Sequence, residues 1–179
     1  MKKNTVKKEE FAKFDSNSFN FKYAWKYTSL QFVFFTGLIM GSLFTIYYFK
    51  QIKEHFYLFL FWAFVTFVFG LGSITVTGLK LSLKNKVKKS VIKYENEKVI
   101  YDKYLGKEYG CKGIIENHDI YTIHKVDSIL EKVDEYVIKG NVQYQTIMDG
   151  KLENLGGIHS ITIPKAYFNI QRIVNKKKS

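Results

Sequence analysis

The sequence contains one cysteine, one proline and one arginine among its 179 residues: Cys111, Pro164 and Arg172. A single cysteine cannot form a disulfide within the chain or supply a cysteine-based zinc site. Base readout in DNA depends largely on the planar fork of arginine, so the scarcity of arginine argues against sequence-specific DNA recognition. The formal net charge of +12 therefore needs an explanation other than nucleic-acid binding. We expect no nucleic-acid partner.

Charged residues are also missing from two long stretches in the first half of the chain. Residues 28–49 and 56–79 contain no Asp, Glu, Lys, Arg or His, and six residues separate them. At about 1.5 Å per residue, each stretch as a helix is long enough to cross a hydrocarbon layer of about 30 Å. We expect a transmembrane hairpin over residues 28–79, because so short a connection makes two helices antiparallel neighbours.

Lysine is concentrated on one side of this predicted hairpin. Residues 1–27 contain seven lysines and residues 80–89 contain five, whereas the connection contains two. Short lysine-rich segments remain in the cytoplasm, so we expect a multi-pass membrane protein with both termini cytoplasmic. The predicted organisation is a cytoplasmic lead-in (1–27), the hairpin (28–79), a basic juxtamembrane linker (80–89) and a cytosolic domain (90–179).

The lysines that follow the hairpin, together with those at the C-terminus, form a candidate lipid-binding group. We call this group the basic collar: Lys80, Lys84, Lys86, Lys88, Lys89, Lys176, Lys177 and Lys178. Anionic headgroups attract such residues by about 1 kcal/mol each within a Debye length. We expect the bilayer and, without specificity, its anionic headgroups as partners. The alternative is that these lysines only set the orientation of the hairpin during insertion.

Small residues recur within the two charge-free stretches, where they would let helices approach closely. The candidate packing residues are Gly37 and Gly41 in the first stretch and Gly70, Gly72 and Ser73 in the second. Packing between the two helices of one chain is the preferred interpretation, since the connection forces them together. A homo-oligomer face on the same residues stays open. An ion or proton pathway is disfavoured, because neither stretch contains a charged residue.

Beyond Lys89 the sequence changes to short alternating segments rich in Val, Ile and Tyr, which are typical of β-strands. The predicted strands are 91–94, 99–104, 120–126, 128–132, 136–139, 142–148 and 158–163. Turns are predicted at 95–98, 133–135, 140–141 and 149–150, and the glycines at positions 106, 110 and 113 indicate a loop. In the lead-in, a short helix is predicted near residues 7–14.

The end of the chain predicts a helix that caps the sheet. Pro164 ends the last strand, and its fixed φ can open a helix. The apolar residues that follow fall at helical spacing over 165–176: Ala166, Ile170, Ile173 and Val174. About seven strands and a capping helix are the order of a pleckstrin-homology-like (PH-like) β-barrel, so the predicted class is a membrane protein with a helical hairpin and a mainly β cytosolic domain.

Three passages of this domain support a family resemblance. They read KVDSI at 125–129, YVIKG at 136–140 and IPKAYF at 163–168, where the last strand passes into the helix. Together with the two preceding spans, these passages resemble the small bacterial membrane proteins of the YcxB-like group. The resemblance implies two spans followed by a PH-like domain and a location in the bacterial inner membrane, and it brings no enzymatic activity with it.

Residues that could carry chemistry are few and scattered. The four histidines include no pair at the i,i+4 spacing of a zinc protease: His55, His118, His124 and His159. His118 and His124 could meet across a turn near Asp119 or Asp127, but surface histidines are far more often solvated than metal-bound. Cys111 has no visible base or oxyanion donor. We therefore expect no catalytic activity, no metal site and no cofactor.

Two function classes remain. The first is a membrane-anchored interaction or scaffold module that presents a small β domain to a protein partner at the inner membrane surface. The second is a ligand-sensing membrane effector whose β domain binds a small signalling molecule. We prefer the first, because side chains fill the interior of a barrel of about 90 residues and leave little room for a ligand.

Overall fold

The computed structural model describes residues 10–110, 113–148 and 150–175. The elements in chain order are β1 (Glu10–Phe14), α1 (Ser16–Ser18), a π-helical turn (Phe19–Tyr23), α2 (Trp25–Lys50), α3 (Phe56–Lys89), β2 (Val91–Glu95), β3 (Lys98–Gly110), β4 (Gly113–Glu131), β5 (Glu135–Met148), β6 (Lys151–Pro164), β7 (Tyr167–Phe168) and α4 (Ile170–Asn175). They divide into a helical unit, Ala24–Leu83, and a β unit that combines the described residues up to Tyr23 with those from Lys84 onward.

The helical unit confirms the expected hairpin of two apolar helices. The helices α2 and α3, of 26 and 34 residues, are both long and apolar enough to cross a membrane. Their connection is a tight turn in which the Gln51 amide donates to the Tyr48 carbonyl (3.1 Å) and the His55 amide to the Gln51 carbonyl (3.0 Å). Residues 80–89 are not a separate segment, because α3 continues helical to Lys89.

The β unit is built on one antiparallel sheet with the strand order β6-β5-β4-β3-β2-β1-β7. The predicted hairpin at 95–98 is confirmed: Glu95 pairs with Lys98, and the two residues between them have positive φ angles of 48° and 62°. A two-residue hairpin turn of this type needs positive φ at both positions. Local turn chemistry therefore fixes the register of β2 and β3.

Several predicted breaks in the strands are wrong, because bulges take up the extra residues without ending the strands. The expected loop at 106–113 is instead the end of a long hairpin, in which β3 and β4 pair as far as Gly110 and Gly113 with a register shift near Leu105. The expected turn at 140–141 lies inside β5, where the register shifts against both neighbouring strands. The strands β4, β5 and β6 are accordingly longer than predicted.

The helix predicted near 7–14 is wrong over its described part, which is the strand β1. It pairs with β2 on one side (Ala12 with Ile92) and with β7 on the other (Phe14 with Tyr167). Phe19, in the turn that follows, is fully buried. Pairing with strands far along the chain overrides the weak local preference here. The β unit thus includes residues that the sequence analysis assigned to a separate lead-in.

The capping helix is shorter than predicted, because β7 occupies the start of its expected range. Asn169, with φ of 65°, separates β7 from α4. The four apolar residues of the predicted stripe are all buried, as expected: Ala166, Ile170, Ile173 and Val174. Pro164 ends β6 and Tyr167 begins β7, so the two ends of the strand order lie within about 11 Å along the chain. The sheet must therefore curl around its core.

Candidate functional site

Three tyrosines form a stacked row across the core-facing side of the sheet. Tyr101 on β3 pairs directly with Tyr121 on β4, which pairs directly with Tyr144 on β5. The ring centroids of Tyr101 and Tyr121 are 5.9 Å apart, and those of Tyr121 and Tyr144 are 4.9 Å apart with ring planes only 8° from parallel. We call these residues the tyrosine row. Burial decreases along it, from Tyr101 at 2% exposure to the partly exposed Tyr121 and Tyr144.

A buried carboxylate, Asp119, holds the outer rings of this row in place. It accepts hydrogen bonds from the Tyr144 hydroxyl (3.0 Å), the Thr146 hydroxyl (3.2 Å) and the Tyr121 hydroxyl (3.3 Å). Burial, followed by the nearby Asp119 carboxylate, raises the pKa of Tyr121 and of Tyr144. Both phenols therefore remain protonated donors at physiological pH. Asp119 acts here as an acceptor that fixes ring positions.

The tyrosine row ends at a glycine. Gly156 on β6 pairs with Tyr144, its φ is 96°, and a Cβ built on it would meet no described atom within 4 Å. Its amide donates to the side-chain oxygen of Asn154 (3.2 Å). Residues 151–157 are all exposed, and β6 is the last strand in the order of the described sheet. The far face of the Tyr144 ring thus borders an open position at a strand edge.

A second polar group lies on the opposite face of β3 and β4. His118 Nδ1 is 2.7 Å from Asp102 Oδ1, and the His118 ring contacts the Tyr104 ring edge-on. Glu116 Oε1 is 3.2 Å from Lys107 Nζ and 3.3 Å from Lys89 Nζ. Hydrogen bonds from Lys107 and then Lys89 lower the pKa of Glu116. This group is internally paired at the surface of the β unit.

The structure separates the residues of the basic collar into different environments. Lys80 Nζ donates to Gln31 Oε1 (3.3 Å) inside the helical unit. Lys89 binds Glu116 and lies 4.5 Å from the centre of the Tyr104 ring. Lys86 and Lys88 are exposed and Lys84 is partly exposed. Lys176, Lys177 and Lys178 lie outside the described residues.

The small residues of the helical unit lie where α2 and α3 face each other. A Cβ on Gly37 would overlap the Phe69 ring, and one on Gly72 would overlap the Phe34 ring. A Cβ on Gly41 would lie 2.8 Å from the Thr66 hydroxyl oxygen and 3.4 Å from its Cα. A Cβ on Gly70 would lie 3.7 Å from Leu38 Cδ1. Ser73 is buried, and its hydroxyl has no hydrogen-bond partner among the described residues.

The candidate histidines do not assemble into a site. His118 contacts Asp102 and not Asp119, because Asp119 points to the other face of β4. His124 lies at a register shift of β4. Within the described ranges, no group of three or more His, Cys, Asp or Glu residues could hold a metal ion. Cys111 lies outside the described residues.

The sequence analysis missed the tyrosine row and Asp119. Their proximity depends on the register of three strands whose ends were predicted incorrectly, and the spacings between positions 101, 121 and 144 carry no local signal. Comparison with protein-family models, curated proteins and solved structures gives no match. The geometry of the two units therefore carries the functional argument.

Proposed function

We propose that the protein is a membrane-anchored interaction module without catalytic activity, which presents its β unit on the cytoplasmic side of a bacterial inner membrane. The observation that carries this proposal is the pairing of β1 with β2. The strand β1 precedes α2 and β2 follows α3, so the segments on both sides of the hairpin belong to one sheet. If the hairpin crosses a bilayer, both segments must lie on the same side of it.

The surface of the helical unit supports insertion into a bilayer. Large apolar side chains are exposed along both helices, including Phe32 at 74%, Phe64 at 65% and Ile74 at 72%. In water such a surface is unfavourable and marks an interaction site, whereas hydrocarbon solvates it. Helices also satisfy their own backbone groups, as spanning segments must.

Three further observations support the rest of the proposal. The lysine-rich segments on both sides of the hairpin favour the cytoplasm for the β unit. The antiparallel meander, its curl and its terminal helix are compatible with a PH-like domain of the YcxB-like type. An interaction role is favoured over catalysis because each of the two polar groups is internally paired. The side chains around Asp119 bind Asp119, and those around Glu116 bind Glu116.

Chemical cross-linking in membranes of the source cell tests the interaction function. We expect the full chain to give a discrete cross-linked species with a second protein. Ile123→Asp places a charge at a fully buried position, unfolds the β unit, and should abolish this species while α2 and α3 still insert. A wild-type chain that yields no such species, or a variant that yields the same one, would contradict the proposal.

Topology gives the next prediction. A cysteine placed at Gln51, in the turn between α2 and α3, should react with a membrane-impermeant reagent added outside intact cells. A cysteine at Gln145, on β5, should react only after the membrane is opened. Both would be measured in a Cys111→Ser background. The reverse labelling pattern would overturn the cytoplasmic assignment of the β unit.

The basic collar gives a further prediction, restricted to Lys84, Lys86 and Lys88. Lys80 binds Gln31, Lys89 binds Glu116, and the other three collar lysines lie outside the described residues. With about 1 kcal/mol for each lysine near an anionic surface, replacing Lys84, Lys86 and Lys88 with Gln should lower anionic-lipid enrichment around the full chain at least tenfold at low salt. Enrichment is measured as the anionic-lipid content of polymer-extracted nanodiscs. The control removes three exposed lysines of the β unit: Lys98, Lys125 and Lys139. Equal enrichment in all three chains would leave membrane insertion as the only role of the collar.

A further inference from the structure

We infer that the free edge of β6 docks an extended segment of a protein partner, and that an aromatic side chain of this segment stacks on Tyr144 over Gly156. The inference rests on the proposed interaction function and names the place and the chemistry of the contact. Its starting point is the open end of the tyrosine row.

The tyrosine row extends over three strands, with ring spacings of 5.9 Å and 4.9 Å, and stops at β5. Adjacent strands lie about 4.8 Å apart, which is close to the 4.9 Å between the Tyr121 and Tyr144 rings. A fourth ring at the next step would lie over Gly156, at a distance where aromatic pairs attract each other. Gly156 supplies no side chain, and nothing described lies within 4 Å of its Cβ position. The ring must therefore come from beyond β6.

The backbone at this edge is available for pairing. On the described sheet, no strand follows β6, and seven consecutive residues, 151–157, are exposed. The Gly156 amide donates to the Asn154 side-chain oxygen (3.2 Å), a contact that the carbonyl of an added strand can replace. Strand addition takes its affinity from such main-chain hydrogen bonds and its specificity from side-chain positions. An aromatic side chain on a neighbouring strand can reach across to cover an edge glycine.

The Tyr144 ring is already held in place before a partner binds. The Tyr144 hydroxyl is held by Asp119, and the inner face of its ring is held by Tyr121. Stacking on a fixed ring loses less side-chain entropy than stacking on a mobile one. The site therefore favours a flat ring over a branched aliphatic side chain of similar size.

A second copy of β6 does not fill this position. The strand Lys151–Pro164 contains no Phe, Tyr or Trp, so pairing of two β6 edges would leave the place over Gly156 empty. The aromatic residue must belong to a segment other than β6, and we assign this segment to a protein partner with an exposed, extended aromatic motif.

Two synthetic peptides test this assignment on the full chain in detergent micelles. Both are hexapeptides of alternating threonine and valine, and they differ only in a central tryptophan or a central leucine. The chain carries 3-fluorotyrosine, and Tyr144→Phe identifies the Tyr144 fluorine resonance. We expect the tryptophan peptide to shift this resonance saturably and the leucine peptide to bind about three- to tenfold more weakly. Equal binding of the two peptides would overturn the inference.

Substitutions at Gly156 provide a matched pair. Gly156→Phe places a ring in the open position and should abolish the shift caused by the tryptophan peptide. Gly156→Ala introduces the same backbone strain at a φ of 96° but leaves room for a ring, so it should retain binding. Binding that survives Gly156→Phe would contradict the assigned site. Saturation by adenosine monophosphate or N-acetyltryptophanamide with the affinity of the peptide would assign the site to a free aromatic compound and overturn strand docking.

The cross-linking experiment separates this inference from the proposed function. A cross-linked species that persists in Gly156→Phe would retain the interaction function and reject this docking site. If the chain bound the tryptophan peptide but formed no cross-linked species, the docking site would be retained and the proposed interaction function rejected.

Discussion

Replacing Phe19 with alanine is expected to destabilise the β unit by about 3–5 kcal/mol, the usual cost of truncating a fully buried phenylalanine. Phe19 has no exposed surface, and its ring lies 5.8 Å from the Phe14 ring and 6.0 Å from the Tyr23 ring. The loss should appear in amide hydrogen exchange of β3 and β4, although Phe19 is about 80 residues away in sequence. Hydrogen exchange is the suitable measurement, because tryptophan fluorescence would report on the helical unit, where both Trp25 and Trp62 lie.

The same π-helical turn supplies the control. Phe21, two residues further on, is 73% exposed, so Phe21→Ala should change the exchange of β3 and β4 by no more than about 0.5 kcal/mol. If both substitutions had the same small effect, the segment before the hairpin would be a detached lead-in. The argument that both sides of the hairpin share one sheet would then lose its basis.

The β unit keeps all of its strand pairs only in the full chain. A fragment that begins after α3 lacks β1 and Phe19, and it leaves β2 and β7 without the strand that lies between them. Unpaired strand edges invite association with other chains. The predictions therefore apply to the full chain.

The features predicted correctly from sequence are those with local causes. Two charge-free stretches suffice to predict α2 and α3, because length and composition alone decide whether a helix can span a bilayer. The Asn96-Glu97 turn joins β2 to β3 over two residues and is likewise local. The burial of Ile170 and Ile173 follows from helical periodicity, even though the helix begins later than predicted.

The features that were missed depend on contacts between distant residues. Glycine is ambiguous in a single sequence, since it serves both turns and close backbone approaches. At Gly106 and Gly140 the strands continue through bulges, where the sequence predicted a loop and a turn. The strand β1 pairs with β2 although the entire helical hairpin separates them in sequence. Asp119 and the tyrosine row become neighbours only once these registers are set.

Gly140 gives the second prediction of large effect. It is buried in β5, and a Cβ at this position would overlap the carbonyl oxygen of Lys125 and lie 3.1 Å from the Cα of Val126. The obstacle is backbone of β4, which cannot rotate away as a side chain can. Gly140→Ala should therefore destabilise the β unit by at least about 1–3 kcal/mol, the range for overpacking, and raise hydrogen exchange on both sides of the β4–β5 bulges.

Gly157 is the matched control, since it lies on the adjacent strand β6 and is exposed. Among the described atoms, a Cβ there would meet only the Val142 carbonyl oxygen, at 3.9 Å, which is an ordinary van der Waals contact. Gly157→Ala should therefore be close to neutral, within about 0.5 kcal/mol, or slightly stabilising because alanine restricts the unfolded chain. Equal costs for the two substitutions would place Gly140 in an open turn, as its Gly-Asn sequence predicts, and would contradict the close approach of β4 and β5.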